Sequence, residues 1–377
     1  MPIQPRRDVP MAKLTTFQVG GLARYFYEAV QRSEVVDAVK WAQDARVALH
    51  VLGGGSNLVI ADTGLSGLVL HVTTRGISAE QRGSSVFVRA EAGEMLDDVV
   101  AFAVERDLAG IECLSGIPGT VGATPIQNVG AYGQEIAQTL TSVTAYDRER
   151  QVIVSLGNDE CEFAYRNSRF KSREPDRFVI LSVEFELRNY LTPPIGNQEV
   201  ERVIQQLGPR SRTVEQIRLA VLGLRKNKSL LNEGPGAVPR SAGSFFLNPI
   251  VDADAALTFK LRFGPSMPAY SLSDGRTKLS AGWLIEQAGY ARGHDAGNVG
   301  LSAQHCLVIV AKERAQAENI VAFAHEIRQR VRAKFGIELI PEPSFWGFYQ
   351  FEAGLPMLEE LAPPTLGSAH WPASERS

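Results

Sequence analysis

The sequence predicts an α+β fold divided into two or three compact units, and three observations carry that prediction. The chain has 377 residues, more than one simple hydrophobic core accommodates. Strand-like runs alternate with segments of helical periodicity through its first half. A break at Asn189 to Asn197, with Pro193, Pro194 and Gly196, then separates that half from a long helical stretch and a smaller α/β unit.

The elements follow in order. Ser33 is a candidate cap for a helix from Glu34 to about Ala45, with Val35, Val36, Val39 and Ala42 on one face. Val47 to Leu52 reads as a buried strand ending at Gly53-Gly54-Gly55, Val86 to Ala90 as another, and Met95 to Arg106 as an amphipathic helix. Val143 to Asp147, Val152 to Ser155 and Phe178 to Leu187 read as further strands. The alternation of Phe178, Ile180, Ser182 and Glu184 with Val179, Leu181, Val183 and Phe185 suits a sheet with one wetter face. Thr213 and Gln216 form a capping box for a long helix through Ile217, Val221 and Leu224. Asn232 to Arg240 reads as a loop, Ser244 to Leu247 as a strand, Ala281 to Ala288 as a helix, Cys306 to Val310 as a strand and Ala315 to Lys334 as a long helix. The Pro/Ser-rich tail after Leu361 is expected to be disordered.

Composition narrows the function classes. Hydrophobic residues make up 44% and charged residues 21%, the balance of an ordinary globular protein. A formal charge of −3 gives no polyanion-binding surface, so nucleic acid is not an expected partner. No apolar run approaches membrane-span length, and no h-region follows the charged N-terminus, so neither membrane nor secretory signal is expected. Cys113, Cys161 and Cys306 are sparse and odd in number, as in a reducing cytoplasm, and no Cys or His spacing fits a metal site.

Two glycine-rich segments carry the first chemical signal. In LGGGSNLVI, Leu52 to Ile60, Gly53, Gly54 and Gly55 allow successive amides to converge into an anion nest, with Ser56 and Asn57 adding side-chain hydrogen bonds. Alone, it reads equally as a tight turn between strands. The second segment, LSGIPGTVGATPIQNVGAYG, runs from Leu114 to Gly133. It sets Gly116, Gly119, Gly122, Gly130 and Gly133 among Ile117, Pro118, Ala123, Ala131 and Tyr132, a backbone able to lie directly against a ligand. Ser115 and Thr120 are candidate phosphate donors, and Gln127 and Asn128 could read a ring edge. Neither segment is a Walker loop or the G-x-G-x-x-G fingerprint. Two glycine loops from separate places point to a different dinucleotide-binding architecture.

These segments fall in a longer series: TTFQVGG (Thr15 to Gly21), the two glycine loops, YRNSRFK (Tyr165 to Lys171), AGSFFLNP (Ala242 to Pro249), AGWLIEQAG (Ala281 to Gly289) and LIPEPSFWG (Leu339 to Gly347). The series closely resembles the UDP-N-acetylenolpyruvoylglucosamine reductases, in family order, from about Thr15 to Gly347. The resemblance implies a vanillyl-alcohol-oxidase-type FAD-binding fold of two α/β subdomains, plus a C-terminal α/β substrate-binding domain. The expected bounds are 1–74 (completed by about 337–361), 75–226 and 227–336, with 362–377 as the tail. It implies tightly but non-covalently bound FAD, NADPH as co-substrate, and reduction of UDP-N-acetylglucosamine-enolpyruvate to UDP-N-acetylmuramic acid by a cytoplasmic monomer.

The resemblance also assigns roles. Arg166 matches the family's catalytic arginine, and its planar, permanently charged fork suits a carboxylate. Arg169, Lys171 and Arg173 beside it read as surface charges. Ser244 matches the proton donor, a weak acid that must be positioned to act. Glu342 matches a glutamate that helps polarise the substrate carboxylate; Pro343 and Ser344 replace the residues usual after it, which removes a second cationic contact at that place. Arg225 and Lys228 match an R-x-x-K that meets the UDP diphosphate, although the last turn of a helix favours cations in any case. Tyr165 and Asn248 match substrate-binding positions, and Tyr190 is a weak candidate for a substrate-gripping tyrosine. An alcohol or sugar oxidase of the same fold would share the glycine loops but need neither the GSFF serine nor the YRNS arginine. A non-catalytic nucleotide-binding protein would bind flavin without NADPH bleaching it.

Overall fold

The computed structural model describes residues 3–208, 212–231, 240–264, 267–272 and 274–348. The expected loop over 232–239 and the tail after Leu361 lie outside the described residues.

The first unit holds strands β1 (Arg6–Pro10) and β2 (Leu22–Ala29), helix α1 (Arg32–Asp44), and strands β3 (Leu49–Leu52), β4 (Leu58–Ile60) and β5 (Leu65–Val72). Its sheet runs in the order β1-β2-β5-β3, with β2 and β3 parallel to β5. Helix α1 buries Val35, Ala38, Val39 and Ala42 against this unit. It starts earlier than the sequence predicts because Gln31, not Ser33, is its cap: the Glu34 carboxylate accepts from the Val30 and Gln31 amides at 2.8 and 3.0 Å.

The second unit contains β6 (Ile77–Arg82), β7 (Ser85–Glu91), α2 (Leu96–Val104), β8 (Leu108–Ala109), β9 (Gly130–Ala131), β10 (Gln134–Glu135), β11 (Leu140–Asp147), β12 (Val152–Gly157) and β13 (Phe178–Asn189). The main sheet is antiparallel, β12-β11-β13-β7-β6. The expected wetter face of β13 is dry through Ser182, since Phe178, Ile180 and Ser182 are all buried. The segment before the strand folds back over that face, with Phe170 edge-on to Phe178 at 5.7 Å. Two helices follow, α3 (Gln198–Leu207) and α4 (Val214–Asn227). Helix α3 was not anticipated; Asn197 caps it by accepting from the Glu199 and Val200 amides. Thr213 caps α4 as expected, accepting from the Gln216 amide at 3.2 Å.

The third unit comprises β14 (Ile250–Val251), α5 (Ala253–Phe263), β15 (Ala269–Ser271), β16 (Thr277–Leu279), α6 (Ala281–Gln287), β17 (Asp295–Ala296), β18 (Val299–Leu301), β19 (Ile309–Ala311) and α7 (Ala317–Phe335). The run Ser244 to Leu247 is not a strand. Phe246 makes an isolated bridge to Pro341, and Pro341 and Pro343 have no amide with which to extend a ladder. Strand β20 (Ser344–Trp346) then returns to the first unit and pairs parallel with β4.

The units are tied together through apolar burial. Phe17 and Val59 of the first unit enter the core of the third, where the Phe17 and Phe245 rings lie 6.2 Å apart. Each such phenylalanine contributes about 1.5–3 kcal/mol when fully buried. Thr16 donates to the Ser241 carbonyl at 2.6 Å, and Asp62 caps α7 by accepting from the Ala317 amide at 3.0 Å. The TTFQVGG segment thus fixes where the AGSFFLNP segment begins.

Candidate active site

The two glycine loops meet backbone to backbone. A Cβ on Gly54 would lie 2.8 Å from the Gly119 Cα, and one on Gly53 would collide with the Thr120 hydroxyl. Gly55, at φ +61, faces the Leu14 carbonyl, and Gly122 packs on Ala92. Glycine is therefore required here by the close approach of the loops themselves. Ser56 donates to the Pro118 carbonyl at 3.3 Å, and Asn57 donates to Gln127 at 2.8 Å, so side chains lace the same seam. The amides of Gly54, Gly55, Ser56 and Gly119 find no acceptor in the protein among the described residues. Four unspent N–H groups on one seam fit the diphosphate of a dinucleotide.

Two side chains expected at this surface turn inward instead. Ser115 is fully buried and donates to the Glu112 carbonyl at 2.6 Å. Asn128, in the left-handed region at φ 45, donates to Glu135 and to the Ala164 carbonyl and accepts from the Ala137 amide. Both side chains are thereby engaged within the protein. Gly130 and Ala131 form β9 of a small hairpin, whose Gly133 packs on Gly196. Gly116 (φ +72) is held by Asp97, which accepts its amide at 2.6 Å while binding Arg218. Ile117 and Ala123 line the same stretch.

Arg166 lies beyond the far end of this loop. Its Nε is 3.2 Å from Glu342 Oε1, Nη1 donates to the Asn128 carbonyl at 3.3 Å and Nη2 to the Gly130 carbonyl at 2.5 Å. A guanidinium has five N–H groups. With those two hydrogen bonds made and Glu342 against Nε, each Nη keeps one further N–H. Burial holds the Glu342 carboxyl above the usual carboxylate range, opposed by the Arg166 and Lys171 charges. The Glu342 amide donates to the Phe245 carbonyl at 2.8 Å, its own carbonyl accepts from Asn57, and the next residue but one, Ser344, donates to the Asn57 carbonyl. The exposed Ser244 immediately precedes Phe245, after Gly243 at φ +69. The backbone bonds from Glu342 to Phe245 and to Asn57 thus tie Glu342, and Arg166 through its ion pair, to the first glycine loop, with Ser244 next in the chain to Phe245.

Tyr165 interacts with Asn248, and the Lys278 ammonium lies 5.1 Å from the centre of its ring. Asn248 in turn accepts from the Ala281 amide at 3.0 Å, which locks the AGWLIEQAG helix to the site. Arg225 and Lys228 sit apart from Arg166, at the second glycine loop. Arg225 is buried, donates to the Leu230 carbonyl at 3.0 Å and leaves its Nε without an acceptor beside Gly116. Lys228 pairs with Glu199 at 2.7 Å and lies 5.4 Å over the Tyr132 ring. Tyr190 is 45% exposed.

The reading of neighbouring cations as surface charges needs correcting. Arg173 is exposed and paired with Glu162, as expected. Arg169, however, is largely covered and paired with Glu174, and Lys171 is half-buried, with Nζ donating to the Arg166 carbonyl at 3.2 Å. The signal for Lys171 was its place inside the YRNSRFK motif itself. Among the described residues no cluster of three His, Cys, Asp or Glu could hold a metal, and no helix is long and apolar enough to cross a membrane.

A side-chain-poor seam offering amides to a diphosphate, with a fixed arginine–glutamate pair beside it, belongs to a flavin-dependent oxidoreductase, and the FAD binding domain family profile matches residues 23–155. The profile of the UDP-N-acetylenolpyruvoylglucosamine reductase C-terminal domain matches residues 235–346. The UDP-N-acetylenolpyruvoylglucosamine reductase of Streptomyces coelicolor is 42% identical over 350 residues, spanning 91% of this chain and 90% of that protein. That of Thermobifida fusca is 44% identical over 349 residues, spanning 90% and 98%. The chain belongs to the UDP-N-acetylenolpyruvoylglucosamine reductase family. A solved reductase structure from Thermus caldophilus shares the fold, with a TM-score of 0.61 at 23% identity over 91% of this chain and 100% of that one. The architecture is the α+β arrangement expected, an FAD-binding domain followed by a C-terminal α/β unit.

Proposed function

We propose that this chain reduces the enolpyruvyl ether of UDP-N-acetylglucosamine-enolpyruvate to UDP-N-acetylmuramic acid, with NADPH as reductant, in the cytoplasm. Bound FAD would supply hydride chemistry, drawing on NADPH, at the terminal carbon of the enolpyruvyl group. Gly54, Gly55, Ser56 and Gly119 offer their amides to its diphosphate, across the seam closed by Asn57, Gln127 and Thr120.

The remaining work falls to the protein. As the terminal carbon gains a hydride, negative charge develops on the adjacent carbon and its carboxylate. The two unspent N–H groups of Arg166 receive that carboxylate, and Glu342 holds the guanidinium so that little reorganises during the step. The Ser244 hydroxyl delivers the proton to the charged carbon, completing addition of two hydrogens across the double bond. Tyr165 and Asn248 position the sugar nucleotide, and Arg225 and Lys228 meet its diphosphate. One chain supplies all of these groups, so the reading needs no second subunit.

The observation that carries it is the arginine–glutamate contact of 3.2 Å beside the backbone seam leading to Ser244. The test is steady-state oxidation of NADPH by the flavin-loaded protein. It should depend on the enolpyruvyl sugar nucleotide and yield a product two hydrogens heavier by mass spectrometry. Oxidation that proceeds equally without that substrate would refute the assignment.

A further inference from the structure

We propose that Lys171 is a positioning residue for substrate binding, its ammonium holding the Arg166 carbonyl and giving the Arg166–Glu342 pair the net positive charge that an incoming carboxylate requires. This rests on the roles given above to Arg166 and Glu342.

The geometry is local and specific. Arg166 adopts φ +52, a left-handed conformation that a non-glycine residue keeps only where its surroundings impose it. Lys171 lies on the single wide turn Arg169–Arg173 and reaches back to the Arg166 carbonyl at 3.2 Å. The hydrogen bond fixes the backbone from which the guanidinium projects.

Charge supplies the second half. An ionised Glu342 cancels Arg166, leaving a neutral pair with little attraction for a carboxylate. Lys171 restores one positive charge to the trio. Arg169 and Arg173 on the same turn cannot, because Glu174 and Glu162 hold them. Other titratable groups face the trio from neighbouring elements: the Tyr165 phenol, and Lys278 of β16 over its ring. Burial pushes the Lys171 ammonium below the ordinary lysine value, opposed by the Glu342 charge, so it sheds its proton earlier than a surface lysine. Burial holds the Tyr165 phenol above its usual value, so the two titrations separate.

Two measurements test this on the flavin-loaded protein. Calorimetric titration with the enolpyruvyl sugar nucleotide should show Lys171→Met binding roughly tenfold more weakly, the effect of one unit charge across about 10 Å at an effective dielectric near 20. The pH profile of substrate reduction should show an alkaline limb that Lys171→Met abolishes, that Lys171→Arg moves to higher pH while restoring affinity, and that Tyr165→Phe retains. An unchanged limb in Lys171→Arg overturns the proposal, and that variant decides the matter even if Lys171→Met fails to fold. If Arg166→Lys leaves substrate reduction intact, the underlying site reading fails. If Arg166→Lys cripples it while both Lys171 variants bind and titrate like the parent, only the role of Lys171 fails.

Discussion

Arg166 Nε and Glu342 Oε1 lie 3.2 Å apart although 176 positions separate them in the chain, and each is only partly open to solvent, at 19% and 15%. Their contact joins the second unit to the segment that returns to the first. Because Nη1 and Nη2 also hold the Asn128 and Gly130 carbonyls, the guanidinium has one orientation. Arg166→Lys keeps the charge and loses the fork. Rapid-mixing measurements should show flavin reduction by NADPH within about twofold of the parent and substrate reduction slowed roughly 100-fold or more. Near-parental substrate reduction would show that the planar fork is dispensable.

Lys228 acts at the other end of the substrate in this reading. It contacts Glu199 and the Tyr132 ring and has no contact with Arg166 or Glu342 among the described residues. Its interaction with a diphosphate would be the same in ground and transition states. Lys228→Met should therefore raise KM for the enolpyruvyl substrate about tenfold with kcat nearly unchanged. A selective fall in kcat would place Lys228 in the chemistry instead.

The glycine seam gives a test of the cofactor cradle. A methyl group on Gly54 would press on the Gly119 backbone at 2.8 Å, and neither loop has a flexible side chain there to move aside. Gly54→Ala should cost about 1–3 kcal/mol of stability. It should also lower the flavin retained on purification, read from visible absorbance per mole of protein. Full flavin content and unchanged melting would mean that the loops do not approach each other in solution.

Acid stability has a separate source, in the second unit. Asp147 is held down to about 2, first by its hydrogen bond from Arg177, at 2.7 Å, and then by the Arg150 and Glu149 amides against the cost of burial. A folded value below the unfolded one contributes stability that is fully present above the ordinary aspartate range and lost as pH falls toward about 2. Asp147→Asn should melt at a lower temperature than the parent at neutral pH, and the gap should narrow as the solution is acidified through that window. A gap independent of pH would assign the effect to packing.

Much of the site was legible in the sequence because its parts are short, contiguous motifs with restrictive chemistry. Three adjacent glycines alone read equally as a turn, but set beside a second glycine loop they have few explanations, and an arginine inside YRNSRFK carries its neighbours with it. What could not be read was the use made of polar side chains by distant backbone. Ser115 and Asn128 look like ligand-facing groups, but Glu112, Glu135 and Ala164 claim them through turns that no periodicity reveals. Lys171 looked like a surface charge because burial of a long side chain depends on which loop folds over it. Helix α3 was missed for a plainer reason: Asn197, its cap, ends the Pro/Gly-rich stretch and was absorbed into the loop.

The central claim, that Ser244 supplies the proton where Arg166 and Glu342 hold the charge, is tested most directly by anaerobic double mixing of flavin-loaded Ser244→Ala. NADPH should bleach this variant at the parental rate. Subsequent addition of the enolpyruvyl sugar nucleotide should restore the yellow colour roughly 100-fold or more slowly than in the parent. Recovery of colour at the parental rate, or equal loss of both half-reactions, would contradict it.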